Sequence, residues 1–235
     1  SPRRTMALAQ QLYEGIDTDE GRVGLITYMR TDSTHVAVQA QHEARAWITG
    51  AYAAEYVPPK PPIYRSRAKN AQEAHEAIRP SAVHRTPDSV RSRLDEAQLR
   101  LYELIWRRFV ASQMAPARLR RHAADLRAAV GTDDLPYRFR ATATRTLFPG
   151  YLVVAQDENA PDDATRATLE LLERLQEGDP MTLRELRPEQ HFTEPPPRYS
   201  EATLIRMLEF AITLDAARRP SNRSIWAATP PAAWR

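Results

Sequence analysis

Apolar positions along this chain recur in more than one rhythm, and the rhythm changes part-way through. Across residues 5–14, Leu8 and Leu12 stand four apart, the spacing of one helical face, and Gly15 marks a helix end. Residues 23–28 are short, apolar and β-leaning, which predicts a strand running into the polar cluster from Arg30 to Thr34. That cluster reads as a loop in which Ser33 or Thr34 caps the next helix. In that helix Ala40, Ala44, Trp47 and Ile48 recur at helical spacing while Gln41 and Arg45 face outward. The strongest helix begins near Asp95, with Leu99, Tyr102, Ile105, Trp106, Phe109 and Val110 on one apolar stripe that belongs in a core.

From about Pro116 the period shortens: residues 137–142 alternate with period two, and Gly131, Gly150 and Gly178 punctuate strand-length pieces. Residues 120–130 are ambiguous, since their alanines and arginines favour a helix while their position favours a strand. Residues 157–165 read as an exposed loop. Further on, Ser200 is a good N-cap for a short helix with Glu201 in its first turn and Leu204, Ile205 and Leu208 on its apolar face. Beyond Phe210 neither period persists, and Pro220, Pro230 and Pro231 interrupt what could form.

The predicted fold class is therefore α+β. A helical domain spans 1–115, a β-rich segment 116–198 and the start of a further helical domain 199–212, followed by a poorly ordered tail over 213–235. Within the first, Pro58, Pro59, Pro61 and Pro62 around Lys60 form a stiff polyproline connector, either an intradomain spacer or a boundary.

Composition narrows the classes. With 42% hydrophobic residues over 235 positions the chain can bury a core. It contains no apolar run of roughly eighteen residues and no apolar stretch at its N-terminus, so a soluble, cytoplasmic protein without a membrane partner is expected. Cysteine is lacking, which excludes a disulfide framework, a thiolate nucleophile, a zinc ribbon and an iron–sulfur cluster within the chain. The net charge of +3 is a mild basic bias, but 31 of the 33 basic residues are arginine, whose planar fork suits bidentate phosphate contact. Codon bias in a GC-rich genome is the stronger explanation of that ratio taken alone.

Two places could carry chemistry. Tyr28 ends the apolar run and is followed by Arg30, Asp32 and Ser33, so a phenol stands at the edge of a polar loop; most tyrosines so placed are half-buried core residues. A phenol can attack phosphorus if a cation stabilises the charge growing on the phosphate oxygens, and Arg30 can supply one. His75, in a polar stretch stopped by Pro80, reads first as a surface histidine and alternatively as a donor to a phosphate oxygen, with Arg79 as a second cation. Glu73 and Glu76 do not share a helical face with His75, so no metal site is read there.

These residues also carry a resemblance. Gly24-Leu25-Ile26-Thr27-Tyr28-Met29-Arg30-Thr31-Asp32-Ser33-Thr34 resembles the active-site signature of type IA DNA topoisomerases, and Met29 between Tyr and Arg favours the bacterial topoisomerase I branch. The likeness continues in order through Gln72-Glu73-Ala74-His75-Glu76-Ala77-Ile78-Arg79-Pro80, through the block around Trp106, and through His191-Phe192-Thr193-Glu194-Pro195-Pro196-Pro197-Arg198-Tyr199-Ser200. It implies a helical tyrosine-bearing domain followed by part of the β-rich arch of a toroidal core. It also implies that Tyr28 attacks single-stranded DNA to form a 5′-phosphotyrosyl link, that Arg30 stabilises the phosphate and that His75 contacts DNA, with Asp32 orienting the loop. Arg79 is added as a DNA-binding residue from its position alone.

The resemblance further implies Mg²⁺ in the complete enzyme, held by a Toprim domain N-terminal to these motifs. The chain is thus expected to be a fragment, inactive alone, of a monomeric, nucleoid-associated enzyme that relaxes negative supercoils. The alternative is a catalytically silent nucleic-acid-binding module derived from the same core. After the Ser200 helix the sequence departs from the family pattern, and no DNA contact is carried over there.

Overall fold

The longest helix, α4 (Glu96–Gln113), begins where its capping chemistry places it. The Asp95 carboxylate accepts from the Gln98 amide at 2.8 Å while the Gln98 side chain accepts from the Asp95 amide at 3.0 Å, a reciprocal capping box. The computed structural model describes residues 1–18, 21–31, 33–64, 76–131, 133–155 and 163–208. His75, Asp32 and the tail 213–235 lie outside the described residues.

Around α4 pack α1 (Pro2–Glu14), α2 (Val38–Ala51) and the short α3 (Pro87–Val90), with a small hairpin of β1 (Ile16–Thr18) and β2 (Gly21–Val23) after α1. One cluster gathers Leu12, Leu25, Ile48, Tyr102, Trp106 and Val110. The buried polar tips are satisfied: Trp106 Nε1 donates to the Val83 carbonyl at 2.9 Å and the Tyr102 hydroxyl to the Arg85 carbonyl at 2.6 Å. Burial pushes the Tyr102 phenol well above its ordinary range, so it stays protonated.

Four expectations are corrected. Residues 23–28 do not form a continuous strand; β2 ends at Val23 and a single bridge pairs Ile26 with Pro80, because the Leu25 amide is taken by Leu12 of α1 and the chain turns at Met29. Neither Ser33 nor Thr34 caps α2, whose N-cap is Ala37; its amide donates instead to the Glu76 carboxylate at 2.7 Å, from 39 residues away. Gln41 and Arg45 do point away from the core but hold the proline connector, which is intradomain. Among the described residues of 116–198 the strands are β3 (Arg118–Val130) and β4 (Asp133–Phe148); α5 (Asp163–Arg174) follows, so residues 163–165 of the expected loop are helical, while 157–162 lie outside the described residues.

β3 and β4 pair antiparallel from Arg118–Phe148 to Val130–Asp133, so the ambiguous residues 120–130 are strand: a long ladder outweighs the helical bias of alanine and arginine. His122, Ala124 and Leu126 line up opposite Ala143, Ala141 and Phe139. On the same side, Ala143 and Leu172 of α5 are buried, and Arg145 donates to Glu173 at 2.9 Å. Gly150 makes the return crossing possible: its φ is +51°, and a Cβ there would stand 2.5 Å from the Ala115 carbonyl oxygen. Residues 5–191 form one compact unit, and 192–235 with 1–4 form a second, in which residues 201–208 are helical. Ser200 caps that helix, its hydroxyl accepting from the Thr203 amide at 3.2 Å.

Candidate active site

Tyr28 is carried on an extended segment stitched along both sides. On one side the Leu25 amide donates to the Leu12 carbonyl at 2.8 Å, and Gly24 lies so close to α1 that a Cβ would meet the Tyr13 carbonyl oxygen at 2.6 Å. On the other, the Thr27 amide donates to the Arg79 carbonyl at 2.9 Å and the Ser81 amide to the Leu25 carbonyl at 2.9 Å. The Thr27 hydroxyl is a hub, donating to the Ala77 carbonyl at 2.8 Å and accepting from the Arg79 amide at 3.0 Å. Two motifs about fifty residues apart in sequence are thereby fixed side by side.

The segment then turns. The Arg30 amide donates to the Tyr28 carbonyl at 2.9 Å, closing a three-residue turn around Met29. Met29 is buried and its neighbours are not: Tyr28 is 55% exposed and Arg30 is exposed. The buried thioether anchors the turn and leaves phenol and guanidinium outside. The Tyr13 ring meets the Tyr28 ring edge-on, centroids 5.4 Å apart at 65°, a contact that limits how the Tyr28 ring tilts.

Arg79 is differently placed. Its Nε and Nη2 both reach the Glu76 carboxylate at 2.9 Å, and Nη1 donates to the Pro80 carbonyl at 2.8 Å. This fork-to-carboxylate pair is largely shielded, and the same carboxylate takes the Ala37 amide at the start of α2, where negative charge is favoured. Burial acts to raise the Glu76 pKa, but the hydrogen bonds from Arg79 and Ala37 and the charges of Arg79 and His35 together carry it below the usual carboxylate value. Glu76 and Arg79 thus brace the Tyr28 segment against α2.

The model of the DNA topoisomerase family matches residues 1–212. This chain belongs to that family. It is 46% identical over 212 residues to DNA topoisomerase 1 of Xylella fastidiosa, covering 88% of this chain and 25% of that protein. It is 44% identical over 209 residues to DNA topoisomerase 1 of Helicobacter pylori, covering 89% of this chain and 26% of that protein. The full-length topoisomerase I of Thermotoga maritima superposes with a TM-score of 0.65 at 35% identity, over 93% of this chain and 34% of that one. The topoisomerase chain spans about a quarter of the length of the curated relatives it matches.

These relatives agree with the type IA, bacterial topoisomerase I resemblance of the motifs and with the α+β class. Of the predicted site residues, the structure brings Tyr28 and Arg30 to one turn and puts Arg79 behind them in an ion pair. Sequence reading missed Tyr13, Thr27 and the bracing role of Glu76; the one signal for them was that two motif blocks sat close to Tyr28 and His75. Among the described residues no three histidine, aspartate or glutamate side chains gather where they could hold a metal ion. The Mg²⁺ implied by the family is assigned no residue in this chain. No helix among them is long and apolar enough to cross a membrane.

Proposed function

We propose that this chain is the tyrosine-bearing part of a type IA topoisomerase that cleaves and rejoins single-stranded DNA, with Tyr28 as nucleophile. The exposed phenol, presented on a rigidly stitched segment beside an exposed arginine, is the observation that carries the reading. The Tyr28 Oη–phosphorus bond forms as the bond from phosphorus to the 3′ oxygen breaks; the phenol gives up its proton and the departing oxygen gains one. The DNA is left joined through its 5′ phosphate, and the energy of the phosphodiester is kept for rejoining. Arg30 offsets charge on the phosphate oxygens during the transfer.

His75 adjoins Glu76 in sequence and is proposed as a DNA contact. Arg79 is proposed to serve DNA binding by positioning the segment. The reading carries with it the division into a tyrosine-bearing part (1–115), an arch segment (116–198) and the start of a further domain (199–212). It also carries relaxation of negative supercoils by a monomer at the bacterial nucleoid, with Mg²⁺ supplied outside this chain. The 235-residue chain by itself is expected not to relax negatively supercoiled DNA, because it spans about a quarter of its relatives' length.

The test places residues 1–212 in the Xylella fastidiosa protein in place of the matching quarter. Tyr28→Phe keeps the ring that packs on Tyr13 and removes the attacking oxygen, so the denaturant-resistant DNA adduct should vanish while non-covalent binding persists. An adduct that survives Tyr28→Phe would assign the nucleophile elsewhere. Binding without any adduct in the parent chimaera, under conditions where the Xylella protein forms one, would favour the silent binding module.

A further inference from the structure

Beside the phenol proposed to react stands a second one. Tyr13 lies in the last turn of α1 with its ring edge-on to that of Tyr28, and no step of the chemistry above employs it. Its place is fixed by its neighbours: the preceding Leu12 is fully buried in the core, and the Leu12 carbonyl accepts the Leu25 amide at 2.8 Å. The backbone of Tyr13 itself lies against the tyrosine segment, since a Cβ on Gly24 would stand 2.6 Å from the Tyr13 carbonyl oxygen. Helix end and tyrosine segment therefore meet backbone to backbone, and this close approach is what lets the two rings touch.

The bonds that stitch the segment fix its backbone and leave the Tyr28 side-chain torsions open. The Tyr28 ring is 55% exposed, its hydroxyl makes no hydrogen bond among the described residues, and Tyr13 supplies its ring contact among them. A tyrosine so exposed has more than one staggered χ1 setting available. Only a setting that brings the oxygen in line with the departing oxygen can react at a given phosphorus. An edge-on ring neighbour favours one setting over the others by roughly 2- to 10-fold. The Tyr13 ring therefore acts on the one degree of freedom that the backbone bonds do not control.

We infer that Tyr13 is a positioning residue, whose edge-on contact holds the Tyr28 phenol in its attacking orientation before the phosphodiester arrives. The inference rests on the reading of Tyr28 as nucleophile and adds what orients it. An asymmetry between the two half-reactions follows. Before cleavage the phenol is free to turn, so losing the Tyr13 ring lowers the fraction of molecules ready to react. After cleavage the Tyr28 Oη–phosphorus bond itself restrains the ring, so rejoining depends on Tyr13 far less.

The ring contact is tested without DNA, in the full 235-residue chain labelled with fluorotyrosine, where the Tyr28 fluorine resonance is the one that Tyr28→Phe removes. That resonance should move in Tyr13→Ala and stay near its parent position in Tyr13→Phe, which keeps the neighbouring ring. The consequence is tested in the chimaera carrying residues 1–212. Single-turnover cleavage at saturating single-stranded DNA should slow about 10-fold in Tyr13→Ala, with DNA affinity and rejoining each within about 2-fold of the parent. Tyr13→Phe should cleave within about 2-fold of the parent, and Tyr13→Leu, which keeps bulk without a ring should the alanine variant fold poorly, should fall between the two. Cleavage at the parent rate in Tyr13→Ala would overturn the inference and leave Tyr28 in place as nucleophile. Equal slowing of cleavage and rejoining, or a Tyr13→Phe as slow as Tyr13→Ala, would overturn it too, the second by assigning the effect to the hydroxyl. A fluorine resonance unmoved in Tyr13→Ala would remove the contact whatever the DNA result. A parent chimaera without adduct, where the Xylella protein forms one, would end both the inference and the reading beneath it.

Discussion

Around Tyr28, support comes from depth: Leu12, Leu25, Ile48, Tyr102 and Val110 are essentially sealed from solvent, and the backbone of the tyrosine segment is bonded to α1 on one side and to residues 77–81 on the other. The β3–β4 hairpin has no comparable interior. Ala143, Phe148 and, from α5, Leu172 are its buried apolar residues among those described, and its long ladder is held mainly by backbone pairing. The exposed Tyr28 phenol sits on the first kind of support. The second tolerates bending and surface variation.

The largest effect should come from the core. Trp106→Ala removes a ring that meets Trp47 edge-on at 4.9 Å and leaves the Val83 carbonyl without its donor. It should cost about 3–5 kcal/mol in a denaturant titration. Stability within error of the parent would show that the core does not govern the fold.

Leu172→Ala should cost about 2 kcal/mol and act locally. Amide exchange should quicken in β3, β4 and α5 while Leu12, Leu25 and Ile48 keep their protection. A uniform loss across both regions would erase the contrast drawn above.

Glu76→Gln probes the brace. It should cost about 1–3 kcal/mol, since the Arg79 guanidinium loses its counter-charge in a shielded site. Protection of the Thr27 and Arg79 amides should fall with it. Because the folded Glu76 pKa is depressed, its stabilisation is present in full above the ordinary value of 4.5 and is lost as pH drops through the lower folded value. Exchange at those amides should therefore accelerate below about pH 4.5 in the parent and not in Glu76→Gln. Parallel pH profiles for the two would remove Glu76 from this role. At the small end, Arg140→Ala, on a fully exposed pair of the hairpin, should leave the melting temperature unchanged.

What the sequence made legible was local. The α4 stripe and its start near Asp95, the Ser200 cap and the tyrosine loop are each decided by residues within a turn or two of one another. The Glu76 contact with Ala37 was not legible, because a cap supplied from 39 residues away leaves no trace at the helix start. Residues 23–28 have the composition of a strand, but the Leu25 amide is taken by α1 and the chain turns at Met29, which leaves a single bridge between Ile26 and Pro80. The helix α5 has a signal, Leu169 and Leu172 three apart, but the glycines on either side of it, Gly150 and Gly178, also punctuate strand-length pieces.

Met29 carries a last consequence. The residue between Tyr28 and Arg30, the one whose identity separates branches of the resembling family, faces the interior, not the solvent side where Tyr28 and Arg30 stand. It works as the ballast of the turn. A change of volume at this position would reach the phenol and the guanidinium as a change of pose, transmitted through packing, with the two groups themselves untouched. Divergence between branches at this site can therefore be a matter of aim.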